Sequence, residues 1–580
     1  MNAEQHPWTD RASGTFVGAA VGDALGWPFE RRDRSRPLPP ASRTPGRFFG
    51  WERRVGSRFR PVIEAIGPGE YSDDTQMLIA VARARLVAGT EWAAWLRRIE
   101  WPFLLEYERG AGASVKRACH AWGKNDAAWG KRADDQEKYF AAGANGAAMR
   151  IAPHAIVHHQ GSFSELAVDV VRDAATTHGH PRALLGALVH AYALWISMRQ
   201  PAPLPYGWLI KTTLEGLVDW REPVWREFDG NWLDAAAKAY PEGYEQVWDA
   251  TVREVEDLLT KAQISLDSGA LSSPSGFLEA HGLTRRATNG SGTLCAVGAI
   301  YLAARSASSP DRGISVPARL DGADTDTLAS MTGSLLGAGL GREWLGSMGR
   351  NVQDEALLID LAERLLRPSS AAPRIPSRAE AAAARERFRK ELDTGDDSAP
   401  VLLPDGRSSR IESRAGLAGG GWTARRTRLL TGDGQSLYVM DQVQQSVVGL
   451  DEPVLPRTDG SRVTSSTETI TSSFLESVDL PVVNLERVRQ ALETLGIAPA
   501  RAGDDWFSYE KLRIRQTSAR EANLDVPAAR VRLVLADLAT ARAQLHEMGF
   551  DGGPRADGGF WASVDPFLVV VVTGAGFSGP

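Results

Sequence analysis

Gly14-Thr15-Phe16-Val17-Gly18-Ala19-Ala20-Val21-Gly22-Asp23-Ala24-Leu25-Gly26 sets a glycine at every fourth position of an otherwise apolar run. At 3.6 residues per turn that spacing lays the four glycines along one face of a helix. Glycine costs a helix interior about 1 kcal/mol relative to alanine. Four on one face therefore predict a tight packing requirement, in which a second helix backbone comes so close that no side chain fits between. The run is too short to span a bilayer and carries Asp23, which sets a membrane helix aside.

Outward from this helix, Trp27-Pro28-Phe29-Glu30 leaves the helical pattern, with Glu30 read as a loop residue at its end. An arginine-rich loop is expected from there to about residue 70, with ten arginines between Arg31 and Arg60. From Tyr71 to about Asp360 apolar residues recur at helical spacing and alternating strand patterns are scarce, so this part reads as all-α.

Two stretches in it carry the chemistry. Ser72-Asp73-Asp74-Thr75 and Gly322-Ala323-Asp324-Thr325-Asp326-Thr327 each place two carboxylates and hydroxyl oxygens where a polar turn runs into a helical pattern. One reading is plain helix capping, since Ser, Thr and Asp are ordinary N-caps and the helix dipole favours acidic residues in the first turn. The other is a metal site built from two distant helix starts: four aspartates brought together raise each other's pKa unless a cation lies between them, and hard oxygen ligands suit Mg²⁺ or Mn²⁺. The recurrence at both ends of a stretch of roughly 250 residues, with more carboxylate than a cap requires, favours the metal.

Three polar breaks interrupt the helices: Gly143-Ala144-Asn145-Gly146-Ala147-Ala148-Met149-Arg150, Thr176-Thr177-His178-Gly179-His180-Pro181, and Thr288-Asn289-Gly290-Ser291-Gly292-Thr293. The last is a glycine-rich helix start of the kind whose N–H groups cradle phosphate, although Asn-Gly-Ser-Gly is also common turn punctuation. For His178 and His180 satisfied core or surface histidines are the default.

The character changes near residue 367. A linker rich in Pro, Ser and Ala leads to a charged helix opened by the capping box Ser377-Arg378-Ala379-Glu380. Strand signals follow, with Gly432-Asp433-Gly434 as a hairpin turn, and residues 458 to 473 are rich in Ser and Thr. The final hundred residues hold a faint repeat about 53 residues apart: an amphipathic segment ending at Gly496 or Gly549, an Asp/Gly turn, an aromatic pair (Trp506-Phe507; Phe560-Trp561) and a β-rich run. This predicts two β-α-β-β units that faintly resemble half-modules of the glyoxalase-type fold, without its metal ligands. The expected organisation is multidomain: an all-α catalytic domain over 1–366, linker and charged helix over 367–395, a β-rich region over 396–475, and an α+β repeat module over 476–580. On this division a chain ending near Arg367 would own its core.

Length fits more than one domain, at 580 residues. Hydrophobic residues at 43 % and charged residues at 24 % are ordinary for a globular protein. A net charge of −6 argues against general nucleic-acid affinity. Cys119 and Cys295 form no CxxC motif, so neither a zinc site nor a disulfide framework is expected. With no signal-peptide pattern, the expected location is cytoplasmic.

Taken in order, Gly22-Asp23-Ala24-Leu25-Gly26-Trp27-Pro28-Phe29-Glu30, Ser72 to Thr75, Asn145 to Arg150, the His178 segment, the Asn289 turn and Gly322 to Thr327 resemble the ADP-ribosylglycohydrolases of the dinitrogenase-reductase-activating glycohydrolase type. The resemblance covers about residues 14–360. It implies an all-α fold with two Mg²⁺ (or Mn²⁺) ions that hydrolyses the bond between ADP-ribose and an acceptor, most simply an arginine on a protein. Implied metal ligands are Ser72, Asp73, Asp74, Asp324, Asp326 and Thr327, and implied catalytic groups are Glu30, Asp74 and Asp324. Implied substrate-binding positions are Asn145, Gly146, His178, Asn289, Gly290, Ser291 and Gly292. Trp27 and Ala147 depart from the usual pattern, and neither removes a ligand. The alternative is a non-catalytic ADP-ribose binder, or a partner that blocks an ADP-ribosylating toxin, with the C-terminal region contacting protein.

Overall fold

The computed structural model describes residues 6–445, apart from 31–37, 58–59, 131, 270–272, 369–373, 394–396 and 420–421, together with strands between 478 and 574. The chain divides into two compact units, Met1–Leu450 and Asp451–Pro580.

The first unit is mostly helical, and five of its helices position the site: α1 (His6–Gly26), α2 (Asp73–Ala88), α3 (Pro181–Arg199), α4 (Gly292–Ser306) and α5 (Thr325–Leu340). The glycine face of α1 meets α5, which runs antiparallel to it. A Cβ added at Gly18 would fall inside the Gly333 carbonyl oxygen, and one at Gly22 inside that of Ala329. Gly14 lies against Gly337 in the same way, so α5 brings a matching stripe. Because the pair is antiparallel, the last residue of α1 meets the first of α5, where the Thr325 hydroxyl donates to the Gly26 carbonyl at 2.8 Å. Helices α3 and α4 pack against each other and both against α5. Trp92, Trp101, Trp220, Trp232 and Trp248 are among the largest fully buried side chains.

Where an arginine-rich loop was expected, the chain forms an antiparallel hairpin of β1 (Trp51–Ser57) and β2 (Arg60–Ile66), with Val55 opposite Val62. Its alternation is masked in the sequence because an inward position is filled by Glu64, 2 % exposed, which Arg53 neutralises at 2.7 Å.

Beyond the linker, α6 (Arg378–Asp393) opens with the expected capping box, Ser377 N–H donating to Glu380 Oε2 at 2.7 Å and Glu380 N–H to Ser377 Oγ at 3.3 Å. Strands β3 (Val401–Leu402), β4 (Ser408–Gly419), β5 (Trp422–Thr431) and β6 (Ser436–Gln445) form one antiparallel sheet in that order, with β5 and β6 joined at the Gly432–Gly434 turn. Phe388, Leu403, Leu429, Leu437 and Val439 are buried in the same core as the helices. The compact unit thus continues past residue 366, where the linker composition had suggested its end.

The second unit holds β7 (Val478–Val482), β8 (Arg501–Ala502), β9 (Trp506–Tyr509), β10 (Leu512–Gln516), β11 (Ala529–Leu535), β12 (Asp551–Pro554), β13 (Phe560–Asp565) and β14 (Leu568–Gly574). They form two sheets of identical plan, β7-β10-β9-β8 and β11-β14-β13-β12, whose first and last strands in sequence pair in parallel. The internal repeat is therefore real, with four strands per copy: the extra strand, β8 or β12, precedes the aromatic pair. The segments expected to be helical, 483–496 and 536–549, lie outside the described residues, as does 458–473.

Candidate active site

The α1–α5 contact delivers Trp27–Glu30 to the start of α5. There one carboxylate oxygen each from Glu30, Asp324 and Asp326 fall within 4.8 Å of one another. Three negative charges at that separation repel by on the order of 3 kcal/mol per pair at an effective dielectric of about 20. The second acidic stretch arrives from α2. Asp74 accepts a bond from the Thr327 hydroxyl at 3.4 Å, which joins the two helix starts, and its Oδ2 is buried with no hydrogen-bond partner.

Burial, then Asp23, Asp73 and Asp324, holds the Asp74 carboxyl well above the usual carboxylate range. Asp73 is raised by burial, then by Glu108, Glu30 and Asp23, and Asp326 by burial, then by Glu30, Asp324 and Asp74. The residues thus feel one another across 250 positions of sequence as one acidic centre.

The capping reading holds in part. Ser72 Oγ accepts from Asp74 N–H at 3.3 Å, as an N-cap does. Asp324 occupies the N-cap position of α5 yet makes no capping bond; its Oδ2 accepts instead from Asn145 Nδ2 at 3.0 Å. A buried carboxylate oxygen without a donor, a cap residue that does not cap, and hydroxyl and carboxylate oxygens converging from two helix starts are the donor set of a hard divalent cation. The residues fit such an ion.

Asp23, noted in the sequence as a charge in an apolar helix and as part of the first motif but given no role, holds the second stretch in place. Fully buried on α1, it accepts from Ser72 N–H at 3.0 Å, Thr75 N–H at 3.1 Å and the Thr75 hydroxyl at 2.6 Å. It thereby serves as the anion at the N-terminus of α2. Glu108 accepts from Gly110 and Ala111 N–H at 2.9 and 2.8 Å, and no sequence signal marked it.

Of the expected substrate-binding residues, Asn145, Asn289 and Gly290 contact the acidic segment directly, whereas His178 does not. Asn145 N–H donates to the Gly290 carbonyl at 2.9 Å, and a Cβ added at Gly290 would stand 3.5 Å from Asp324 Oδ2. Asn289 Nδ2 donates to the carbonyl of Gly322 at 2.9 Å, where φ of +81° favours glycine. Two N–H groups of the expected phosphate cradle are already bonded, Ser291 to Thr288 and Gly292 to Gly143, so the turn is braced and offers fewer free donors than its sequence suggested. His178 stands behind Gly146, fully buried, its Nδ1 2.8 Å from the Thr177 hydroxyl. Arg150, the end of the Asn145 motif, to which the sequence assigned no role, ties this layer together: it donates to the Gly146 carbonyl at 2.6 Å, to Thr177 Oγ1 at 2.9 Å and to Asp173 at 3.0 Å.

A helical fold in which two distant helix starts meet in a partly buried acidic centre, with a glycine-rich turn beside it, defines a site of hard oxygen donors. A family model described as ADP-ribosylglycohydrolase matches residues 4–374, and the chain belongs to the ADP-ribosylglycohydrolase family. It is 30% identical over 196 residues to the ADP-ribosyl-[dinitrogen reductase] glycohydrolase of Rhodospirillum rubrum, an alignment over 31% of this chain that spans 57% of that protein. Among solved structures it is similar to an ADP-ribosylglycohydrolase-related protein complex, at 21% identity and a TM-score of 0.37 over 63% of this chain and all of that one. Among the described residues no helix is long and apolar enough to cross a membrane.

Proposed function

We propose that this protein is a divalent-cation-dependent hydrolase that removes ADP-ribose from a modified acceptor, with ADP-ribosyl-arginine on a protein as the substrate. The observation that carries this reading is the buried, partnerless Asp74 Oδ2 beside the Glu30–Asp324–Asp326 carboxylates. Ser72, Asp73, Asp74, Asp324, Asp326 and Thr327 would hold two Mg²⁺ or Mn²⁺ ions, whose chemistry when bound is Lewis-acid polarisation of ribose hydroxyls and a water. Glu30 takes a proton at a carboxylate oxygen from the attacking water or orients the ribose 2″-hydroxyl. Asn145 Nδ2 fixes the Asp324 carboxylate, and the braced 289–292 turn lies where the diphosphate would bind.

The test is release of free ADP-ribose from a panel of defined acceptors, with and without EDTA. Wild type should be active only with Mg²⁺ or Mn²⁺, and Asp74→Ala or Asp326→Ala should be inactive yet folded. Activity of either variant in cation-free buffer would sink the reading.

A further inference from the structure

The matched family region ends at residue 374, yet the sheet β3–β6 beyond it contacts side chains that are tied to the segments on both sides of the acidic pair Asp73–Asp74. We propose that this sheet is a positioning element of the site: through Arg109 and Asp354, Tyr438 and Ser436 fix the two segments that flank Asp73 and Asp74.

Arg109 is 1 % exposed and its guanidinium lies between two rings, 4.1 Å from the Tyr438 centroid and 5.1 Å from that of Trp27. Glu64 at 3.1 Å and Glu70 at 2.7 Å neutralise it, and the Tyr438 hydroxyl donates to Glu70 at 3.0 Å. A desolvated guanidinium on an aromatic face is attracted to it, so β6 holds Arg109 firmly. Both ends of this contact reach the site. Trp27 accepts from Glu30 N–H, and Arg109 N–H is tied to Gln76 of α2 at 3.0 Å. The next residue, Gly110, is so close that an added Cβ would stand 2.9 Å from Asp73 Oδ1.

A second tie is independent of the first. Tyr71, immediately before Ser72, donates its hydroxyl to Asp354 Oδ2 at 2.7 Å, and Ser436 N–H of β6 donates to the same oxygen at 2.9 Å. Asp354 adopts a left-handed φ of 58°, a conformation that aspartate tolerates better than most residues. Further along α2, Arg83 donates to Gln435 Oε1 at 2.7 Å. The helix that starts with the acidic pair is thus linked to the start of β6 through Asp354 on its N-terminal side and through the preceding turn near its other end.

The inference rests on the proposed cation site, and the experiment separates the two. In the full chain, Mn²⁺ binding is measured by calorimetry, and kcat and KM on the preferred substrate, for wild type, Tyr438→Leu and Tyr438→Phe. Losing the ring should weaken Mn²⁺ binding about tenfold, the scale of an outer-shell partner of a metal site, and lower kcat with little change in KM. The phenylalanine variant keeps the ring and should recover both. A folded Tyr438→Leu chain with wild-type affinity overturns the inference, as does an equal loss in both variants. If Tyr438→Leu does not fold, Arg426→Gln is read instead. It removes a β5 side chain that donates to Glu64 at 3.3 Å and the Ala65 carbonyl at 2.8 Å, and a weaker cation affinity supports the inference while an unchanged one overturns it. Wild type that binds no Mn²⁺ overturns the proposed function and this inference together.

Discussion

Asp23 and Asp326 are both buried aspartates at the acidic centre, and their environments predict opposite responses to substitution. Asp23 accepts from two N–H groups and a hydroxyl, so Asp23→Ala strands buried donors at about 1–3 kcal/mol each. It should destabilise the protein by on the order of 3 kcal/mol in urea unfolding. Asp326 faces like charges from Glu30, Asp324 and Asp74, so Asp326→Asn should stabilise the cation-free protein while abolishing activity; a lower stability without cation would contradict the arrangement. Glu30→Gln should lower kcat by about 10²–10⁴-fold, the range of general acid–base catalysis, with KM little changed. An unchanged kcat would make Glu30 a loop carboxylate. At this scale the acidic residues were legible because two short runs repeat one chemistry. Asp23, Glu108 and Arg150 were not, because each acts by hydrogen-bonding backbone far away in sequence, and no local pattern encodes that.

The glycine face of α1 was legible as a demand for close packing, but its partner was not named by the sequence. Gly333 and Gly337 in α5 answer it, and the acidic run just before them drew the eye to chemistry instead. Gly18→Ala makes the contact measurable. Helix propensity alone would favour alanine by about 1 kcal/mol, whereas the Gly333 carbonyl leaves no room for a methyl group. Overpacking against backbone costs about 1–3 kcal/mol or more. The variant should therefore melt lower than wild type, and a higher melting temperature would show that the helices are not in this contact. The hairpin β1–β2 was hidden for the reason that makes it stable: a buried Glu64–arginine pairing replaces the apolar alternation by which a strand is usually recognised.

At the scale of the whole molecule, the buried histidines His178 and His190 contribute to acid sensitivity. Burial, with Arg150 and Arg117 nearby, pushes His178 down to about 3, and burial alone takes His190 to about 3. Since these folded values lie below the ordinary histidine value of about 6.5, the unfolded chain binds the extra protons. The stability they contribute is complete above that value and is lost as pH falls from there toward 3, each group adding up to about 1.4 kcal/mol per pH unit. His190→Leu should flatten the dependence of unfolding free energy on pH in this window by about one proton; an unchanged slope would mean His190 is not buried neutral. The extent of the compact unit was the least legible feature at this scale. A proline-bearing linker and a change from helix to strand look like a domain boundary, but Leu429, Leu437 and Val439 enter the helical core at distances in sequence that periodicity cannot see.

The glycine contact between α1 and α5 also works as a gauge. Carbonyls of one helix sit in the notches left by the other's missing side chains, and notches four residues apart are spaced by about 6 Å at 1.5 Å per residue. The pair can slip only in steps of a whole notch, and the step adopted fixes how far Glu30 projects beside Asp324. One residue inserted between Gly14 and Gly26 would turn the following notches by about 100° and jam the gauge. An insertion ahead of Gly14 would leave its setting untouched. Tolerance to changes in length is thereby confined to one side of a single residue.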